Sequence, residues 1–180
     1  MYEVEQKARV PHRSVRQYLD AEGVNPDSTA QQVDTYFDHP CKDFAETDEA
    51  LRLREVTPEA GPSRTLLTYK GPRTESDTKT RREFEVEIES YSLASSIVEA
   101  LEFTPVRTVR KKRTKYTYRD CIICLDDVEE LGEFVEVEAS PHLSDLAEAQ
   151  TVVTDLMEMF GIDEQQLTTR SYLAMLLSDV

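Results

Sequence analysis

Glu3-Val4-Glu5-Gln6-Lys7-Ala8-Arg9-Val10 carries a charged side chain at every odd position and an apolar or neutral one at every even position. Side chains on a strand alternate between its two faces, so this stretch reads as a strand with one charged face and one face suited to a core. The same spacing returns in Glu83, Glu85 and Glu87 between Phe84, Val86 and Ile88. Arg52 with Arg54, Lys111 with Arg113 and Lys115, and Glu136 with Glu138 repeat it, and like charges cluster along each of these strands.

Further strands are expected over Gln32 to Asp38, Ala50 to Val56, Arg64 to Lys70, Thr104 to Arg119, Cys121 to Asp126 and Glu133 to Ala139. Turn-forming residues separate them. Thr57 to Ser63 is a short connection, and Gly71 to Thr80, rich in Thr, Ser and Asp, is expected to be a longer mobile one. Helical periodicity marks Ser14 to Glu22, Ser92 to Glu102 and the segment from Leu143 through Val153 and Leu156 to Phe160, with Gly161 closing the last. Leu167, Tyr172, Leu173, Leu176 and Leu177 are spaced to pack the C-terminal segment down. Strands run consecutively rather than alternating strictly with helices, which predicts an α+β fold with an antiparallel sheet. A length of 180 residues predicts one domain spanning 1–180.

The 36 acidic residues outnumber the 21 basic ones and give a net charge of −15. A phosphate backbone or an anionic membrane would be repelled over most of such a surface, so neither is an expected partner. The alternating basic run Arg110 to Lys115 reads as a row on one strand face rather than a nucleic-acid patch. With 14 Arg against 7 Lys, the composition resembles the halophilic style of salt-accumulating organisms. The beginning of the chain has no basic segment followed by an apolar one, and a cytoplasmic location is expected. Cys121 and Cys124 are expected to be buried free thiols on opposite strand faces, and His12, His39 and His142 to have surface or capping roles.

When nearly every strand has one charged and one apolar face, helices can cover the apolar faces and the sheet can curl its charged faces inward. Such a lumen suits a polyanion carried with divalent cations. Arg forks and Lys point charges would take the oxygens of a triphosphate, and carboxylates would repel it unless a hard cation intervened. Mg²⁺ or Mn²⁺ prefers oxygen ligands, and Glu3, Glu5, Asp126, Glu136 and Glu138 supply them.

Glu3-Val4-Glu5-Gln6-Lys7 matches the ExExK signature of the CYTH superfamily, the triphosphate tunnel metalloenzymes. Asp34-Thr35-Tyr36-Phe37, Ala50 to Arg54, Leu67 to Pro72, Arg81-Arg82-Glu83, Lys111-Lys112-Arg113, Leu125 to Val128, Leu131 to Glu138 and Arg170 to Leu173 follow in the family's order. The chain resembles this family over its whole length and is most similar to the class IV adenylate cyclase branch. The resemblance implies a closed antiparallel β-barrel of about eight strands with helices packed outside. It implies Glu3, Glu5 and Glu136 as metal ligands, with Asp126 and Glu138 as ligands or orienters. Lys7, Arg52, Arg54, Lys70, Lys111 and Arg113 are implied as phosphate binders, and Arg81 with Glu83 and Glu85 as a tunnel wall. Glu3 and Glu5 would be catalytic through the metal.

The implied reaction is conversion of ATP to cyclic AMP and pyrophosphate. The alternative is a metal-dependent triphosphatase acting on thiamine triphosphate, inorganic triphosphate or a nucleotide, in which Lys70 and Tyr36 would activate water. A non-catalytic polyphosphate- or nucleotide-binding module is the third possibility; loss of the carboxylates would mark it, and they are present. The expected state is a monomer or homodimer.

Overall fold

The structure is a computed structural model that describes residues 4–72, 82–139 and 145–178. The expectations for Glu3, Arg81, His142, Leu143 and most of the Gly71 to Thr80 connection lie outside the described residues. Eight strands form one antiparallel sheet: β1 (Glu5–Ala8), β2 (Ser28–Asp38), β3 (Ala50–Pro58), β4 (Arg64–Lys70), β5 (Glu83–Ile88), β6 (Thr104–Tyr118), β7 (Cys121–Val128) and β8 (Gly132–Ala139). Their order across the sheet is β1-β8-β7-β6-β2-β3-β4-β5. Among the described residues, five α-helices accompany them, α1 (Arg13–Ala21), α2 (Phe44–Thr47), α3 (Tyr91–Ala100), α4 (Leu146–Met159) and α5 (Tyr172–Ser178), with a short 3-10 turn at Glu164–Gln166.

The α+β class and the antiparallel sheet are as expected, but closure is not. Among the described residues β1 pairs only with β8 and β5 only with β4, so the sheet keeps two edges. Residues of both edge strands nevertheless line one cavity, which requires the sheet to be strongly curled. The edges have little to offer each other. β1 has four residues, and both strands direct carboxylates, Glu5 on one and Glu83 and Glu85 on the other, toward the cavity, where like charges oppose pairing.

The convex face is apolar because the register brings the uncharged positions together. Ala8 stands opposite Val135, Leu125 opposite Val135, and Ile123 opposite both Val137 and Tyr116. α1 and α4 cover this half with Val15, Leu19, Val153, Leu156 and Met157, all essentially inaccessible to water. Burying a side chain of this size contributes about 1.5–3 kcal/mol. Asp145 fixes the start of α4 by accepting from the backbone N–H groups of Ala147 and Glu148, and Gly161 follows the helix with φ of +72°, a conformation that suits glycine. α3 covers the other half more thinly, placing Val98, Tyr91 and Ala94 against Phe37, Leu53 and Ile88.

α5 lies on the opposite, concave side. Tyr172, Met175 and Leu176 pack on Leu131 in the β7–β8 turn and on Val109, Val128 and Phe134, whose side chains share the face that carries the charged rows. The Tyr172 and Phe134 rings meet edge to face. Cys121 and Cys124 are buried free thiols, as expected, and Cys41 is exposed. His12, for which a surface or capping role is expected, occupies the N-cap position of α1 without a side-chain capping bond and is buried. It is 4% exposed, and its Nε2 lies 3.1 Å from the Asp126 carbonyl oxygen and 3.0 Å from that of Phe134, which makes this nitrogen the donor. It ties the start of α1 to the β7–β8 hairpin.

Candidate active site

The concave face encloses a cavity of about 380 Å³ whose wall includes Glu5, Lys7, Tyr36, Arg52, Arg54, Lys70, Lys111, Arg113, Lys115, Glu136 and Glu138. Cross-strand register assembles it. Lys7 stands opposite Glu136, Glu5 opposite Glu138, Arg113 opposite Asp126, and Asp34 opposite Arg54. Rows separated by many residues in sequence thus become neighbours.

One cluster centres on Arg113. Its Nε donates to Asp126 at 2.6 Å, and its Nη2 donates to both Asp126 and Glu136. Lys7 Nζ reaches Glu136 Oε1 at 2.9 Å. Burial works against the charges of Arg113 and Glu136, but their mutual attraction, together with Asp126 and Lys7, wins. The guanidinium pKa is held well above its ordinary value and the Glu136 carboxyl well below its own. Burial also pulls Lys7 down, and Glu136 and Glu5 more than restore it. The Tyr172 hydroxyl donates to Asp126 at 2.9 Å while its ring lies 4.3 Å from Lys7 Nζ and 5.5 Å from Lys111 Nζ.

A second cluster centres on Asp34, which is inaccessible to water. Arg54 donates to both its oxygens at 2.5 and 2.6 Å, Lys111 Nζ lies at 2.8 Å and Arg52 Nη1 at 3.9 Å. Burial would raise the Asp34 pKa, but these three cations hold it well below the usual carboxylate range. For Lys111 burial prevails over Asp34, Arg54 and Arg113 add repulsion, and its pKa falls to about 8. Arg52 Nη2 also donates to Thr68 at 3.1 Å and to Glu85 at 3.4 Å, and Thr68 donates to Glu85 at 2.8 Å. Among the described residues, the buried Arg52 Nε has no hydrogen-bond partner. Lys70 pairs with Glu83 at 2.6 Å, and Tyr36 stands opposite Arg52 across the β2–β3 ladder.

The carboxylates expected at a metal divide into two groups. Asp126 and Glu136 are engaged by Arg113, and Asp126 is wholly buried outside the cavity wall. Glu5 and Glu138 face each other on adjacent strands and both line the cavity. Burial raises the Glu138 pKa, and the Glu5 charge raises it further. Two like charges held together fit a cation between them, although no group of three or more metal-ligating side chains occurs among the described residues. Mg²⁺ is commonly held by one or two carboxylates together with water and substrate phosphates, so this donor set is adequate.

Asp34 and Tyr172 were not singled out from sequence as site residues. In the sequence Asp34 is one acid among many within Asp34-Thr35-Tyr36-Phe37, and Tyr172 is spaced for apolar packing. Their roles emerge only when β2, β6, β7 and α5 are brought together.

The CYTH domain pattern matches residues 1–172. A Methanocaldococcus jannaschii protein, which carries adenylate cyclase as a provisional name, is 37% identical over 177 residues, covering 96% of this chain and 97% of its own. The PH1819 protein from Pyrococcus horikoshii superposes with a TM-score of 0.86 at 35% identity, covering 99% of this chain and 100% of that one. A Hippeastrum protein provisionally called an adenylyl cyclase, and described as having a dominant triphosphatase activity, shares the fold with a TM-score of 0.70 at 19% identity, over 99% of this chain and 96% of its own. By sequence and by fold, the chain belongs to the CYTH domain family.

Proposed function

We propose that this protein converts ATP to cyclic AMP and pyrophosphate with a divalent metal, binding the triphosphate chain along the concave face. The observation that carries the triphosphate assignment is the row Arg52, Arg54, Lys111 and Arg113 in one cavity, with Arg52 retaining a buried N–H donor that has no partner among the described residues. A buried unsatisfied donor costs about 1–3 kcal/mol, and a phosphate oxygen would satisfy it. The provisional name of the 37% identical relative supports the choice of cyclase chemistry.

Arg52 and Arg54 present planar forks to the phosphate oxygens, and Lys7, Lys70, Lys111 and Arg113 add charge. Asp34 keeps Arg54 and Lys111 aimed, so little reorganisation is needed when the anion arrives. Glu5 and Glu138, with Glu3, would hold Mg²⁺ or Mn²⁺, which supplies charge neutralisation and activation of the attacking oxygen. The 3′-hydroxyl oxygen bonds to the α-phosphorus as the bond to the β-bridging oxygen breaks. Pyrophosphate leaves and the hydroxyl proton is released.

The second reading is a triphosphatase, in which water attacks the terminal phosphorus and orthophosphate leaves. It is favoured by Tyr36 and Lys70, which both line the cavity near Arg52. Incubation with ATP, thiamine triphosphate or inorganic triphosphate, with Mg²⁺ or Mn²⁺ and at low and multimolar salt, separates the readings by product. Cyclic AMP with pyrophosphate supports the cyclase; orthophosphate alone removes it. Replacing Glu5 with Ala should abolish turnover, and a folded, fully active variant would end the metal-site assignment.

A further inference from the structure

α1 and α4 each turn charges to water, Arg13, Arg16 and Asp20 on the first and Glu148, Asp155 and Glu158 on the second. The outer face of α3 is apolar. Tyr91, Ala94 and Val98 pack inward on the sheet, while Leu93, Ile97 and the C-cap residue Leu101 recur at every fourth position on the other side, left 62%, 53% and 63% exposed. Ser96 and Ala100 complete that stripe with small side chains. A helix that is apolar on both faces is ordinarily covered on both. Tyr91 to Val98 contains no charged residue, in a chain of which 32% is charged. Beside it on the convex surface, Phe84 and Val86 of β5 are 61% and 55% exposed, and Ile88, next on their strand face, packs against α3. We propose that this face joins two copies of the chain, with α3 antiparallel to the partner's α3 across a twofold axis at Ile97. The inference is independent of the reaction.

Charge and size select a second copy as the occupant. Each molecule carries a net charge of −15, so two copies repel over most of their surfaces, and this uncharged face is where approach costs least. A charged partner would find nothing on the stripe to pair with. Five large apolar side chains, each more than half exposed, make a patch of roughly 300–600 Å², a size that is commonly functional. That suffices for the apolar centre of an interface of about 800 Å² per partner with a polar rim.

The direction follows from the spacing. With the axis at Ile97, Leu93 meets the partner's Leu101, and the exposed Glu99 and Glu102 fall beside the partner's Ser95 and Ser92. Parallel helices would set each glutamate on its own counterpart, and such like-charge contacts oppose association. Ser96 and Ala100 leave room for the partner's larger side chains. A patch that pairs with itself closes at two copies.

Sedimentation velocity over a range of protein concentrations, at low and multimolar KCl, tests this. The unaltered protein should form a dimer that tightens about tenfold or more with salt, as the Debye length shrinks to about 3 Å at 1 M. Leu93→Glu and Leu101→Lys alter exposed positions that the fold of a single copy does not bury. Each alone should weaken the dimer about thirtyfold or more, the loss expected when a central apolar contact is spoiled. An equimolar mixture of the two variants should regain the dimer at moderate salt, because the antiparallel register sets the introduced carboxylate against the introduced ammonium and keeps Leu101 on Leu93 at the other end. A monomer at every concentration and salt would overturn the self-contact and leave the stripe to a different protein. Variants that dimerise as tightly as the unaltered chain would place the contact elsewhere and overturn it too. A mixture no tighter than either variant alone would overturn the antiparallel register, and assemblies larger than two would overturn the closed pair.

Discussion

The two halves of the sheet carry similar alternating charges and treat them differently. β6, β7 and β8 are backed by α1 and α4, and their inward charges are buried: Lys111, Asp126 and Glu136 are all below 9% exposed. β5, at the far edge, is thinly covered, with Phe84 at 61% and Val86 at 55% exposure, and its inward Glu85 is open to water. An ion pair on the first half sits in a low dielectric with its geometry fixed by packing, whereas one on the second is softened by solvent. Precision in the cavity should therefore come mainly from the buried rows of β2, β3 and β6 to β8, not from β5.

The sharpest way to break this contrast is a pair of truncations. Asp126→Ala leaves Arg113 and the Tyr172 hydroxyl without their shared partner and should cost about 3–5 kcal/mol in urea unfolding. Glu85→Ala should cost no more than about 1 kcal/mol. Equal losses would show that backing does not govern the charged rows.

A second comparison uses pH. Lys111 is depressed to about 8, and a bound anion favours its protonated form. Affinity for inorganic triphosphate is thus full below that value and lost as pH rises through it, by at most about 1.4 kcal/mol per pH unit. Lys111→Arg, which stays charged, should flatten that limb in calorimetry. A limb that persists in the variant would assign the titration elsewhere.

Smaller effects refine the picture. Ile123→Val in the backed half should cost about 0.5–1.5 kcal/mol, against less than about 0.5 kcal/mol for Val86→Ala on the edge strand. Glu5→Gln should change stability by less than about 1 kcal/mol, since it removes a like-charge pair with Glu138 and also a charge that favours the protonated Lys7, while eliminating metal-dependent turnover. Loss of stability together with turnover would show Glu5 to be structural.

Period-two alternation made the strands legible, and Arg64–Lys70 and Glu83–Ile88 occupy the expected spans. It also separated the charged face from the core. What alternation does not contain is pairing: whether β1 meets β5 depends on edge complementarity, which no single strand encodes. The burial of His12 is not legible locally, because its partners, Asp126 and Phe134, lie more than a hundred residues away. α2 is four residues long, too short for helical periodicity, although Asp43 followed by Glu46 carries a capping signal. The cationic row was visible as spacing. That Asp34 binds three of its members follows from register alone.

The open edge at β5 has a consequence for the chain in concentrated solution. Glu83-Phe84-Glu85-Val86-Glu87-Ile88 is a short, β-prone segment with unpaired backbone groups on one side among the described residues. Without its charges it would resemble a template for cross-β stacking. Three glutamates at alternate positions act as gatekeepers, because strands stacked in register would align carboxylate on carboxylate. Acidification through the carboxylate range would lift that veto, and self-assembly into fibrils would then begin at this edge.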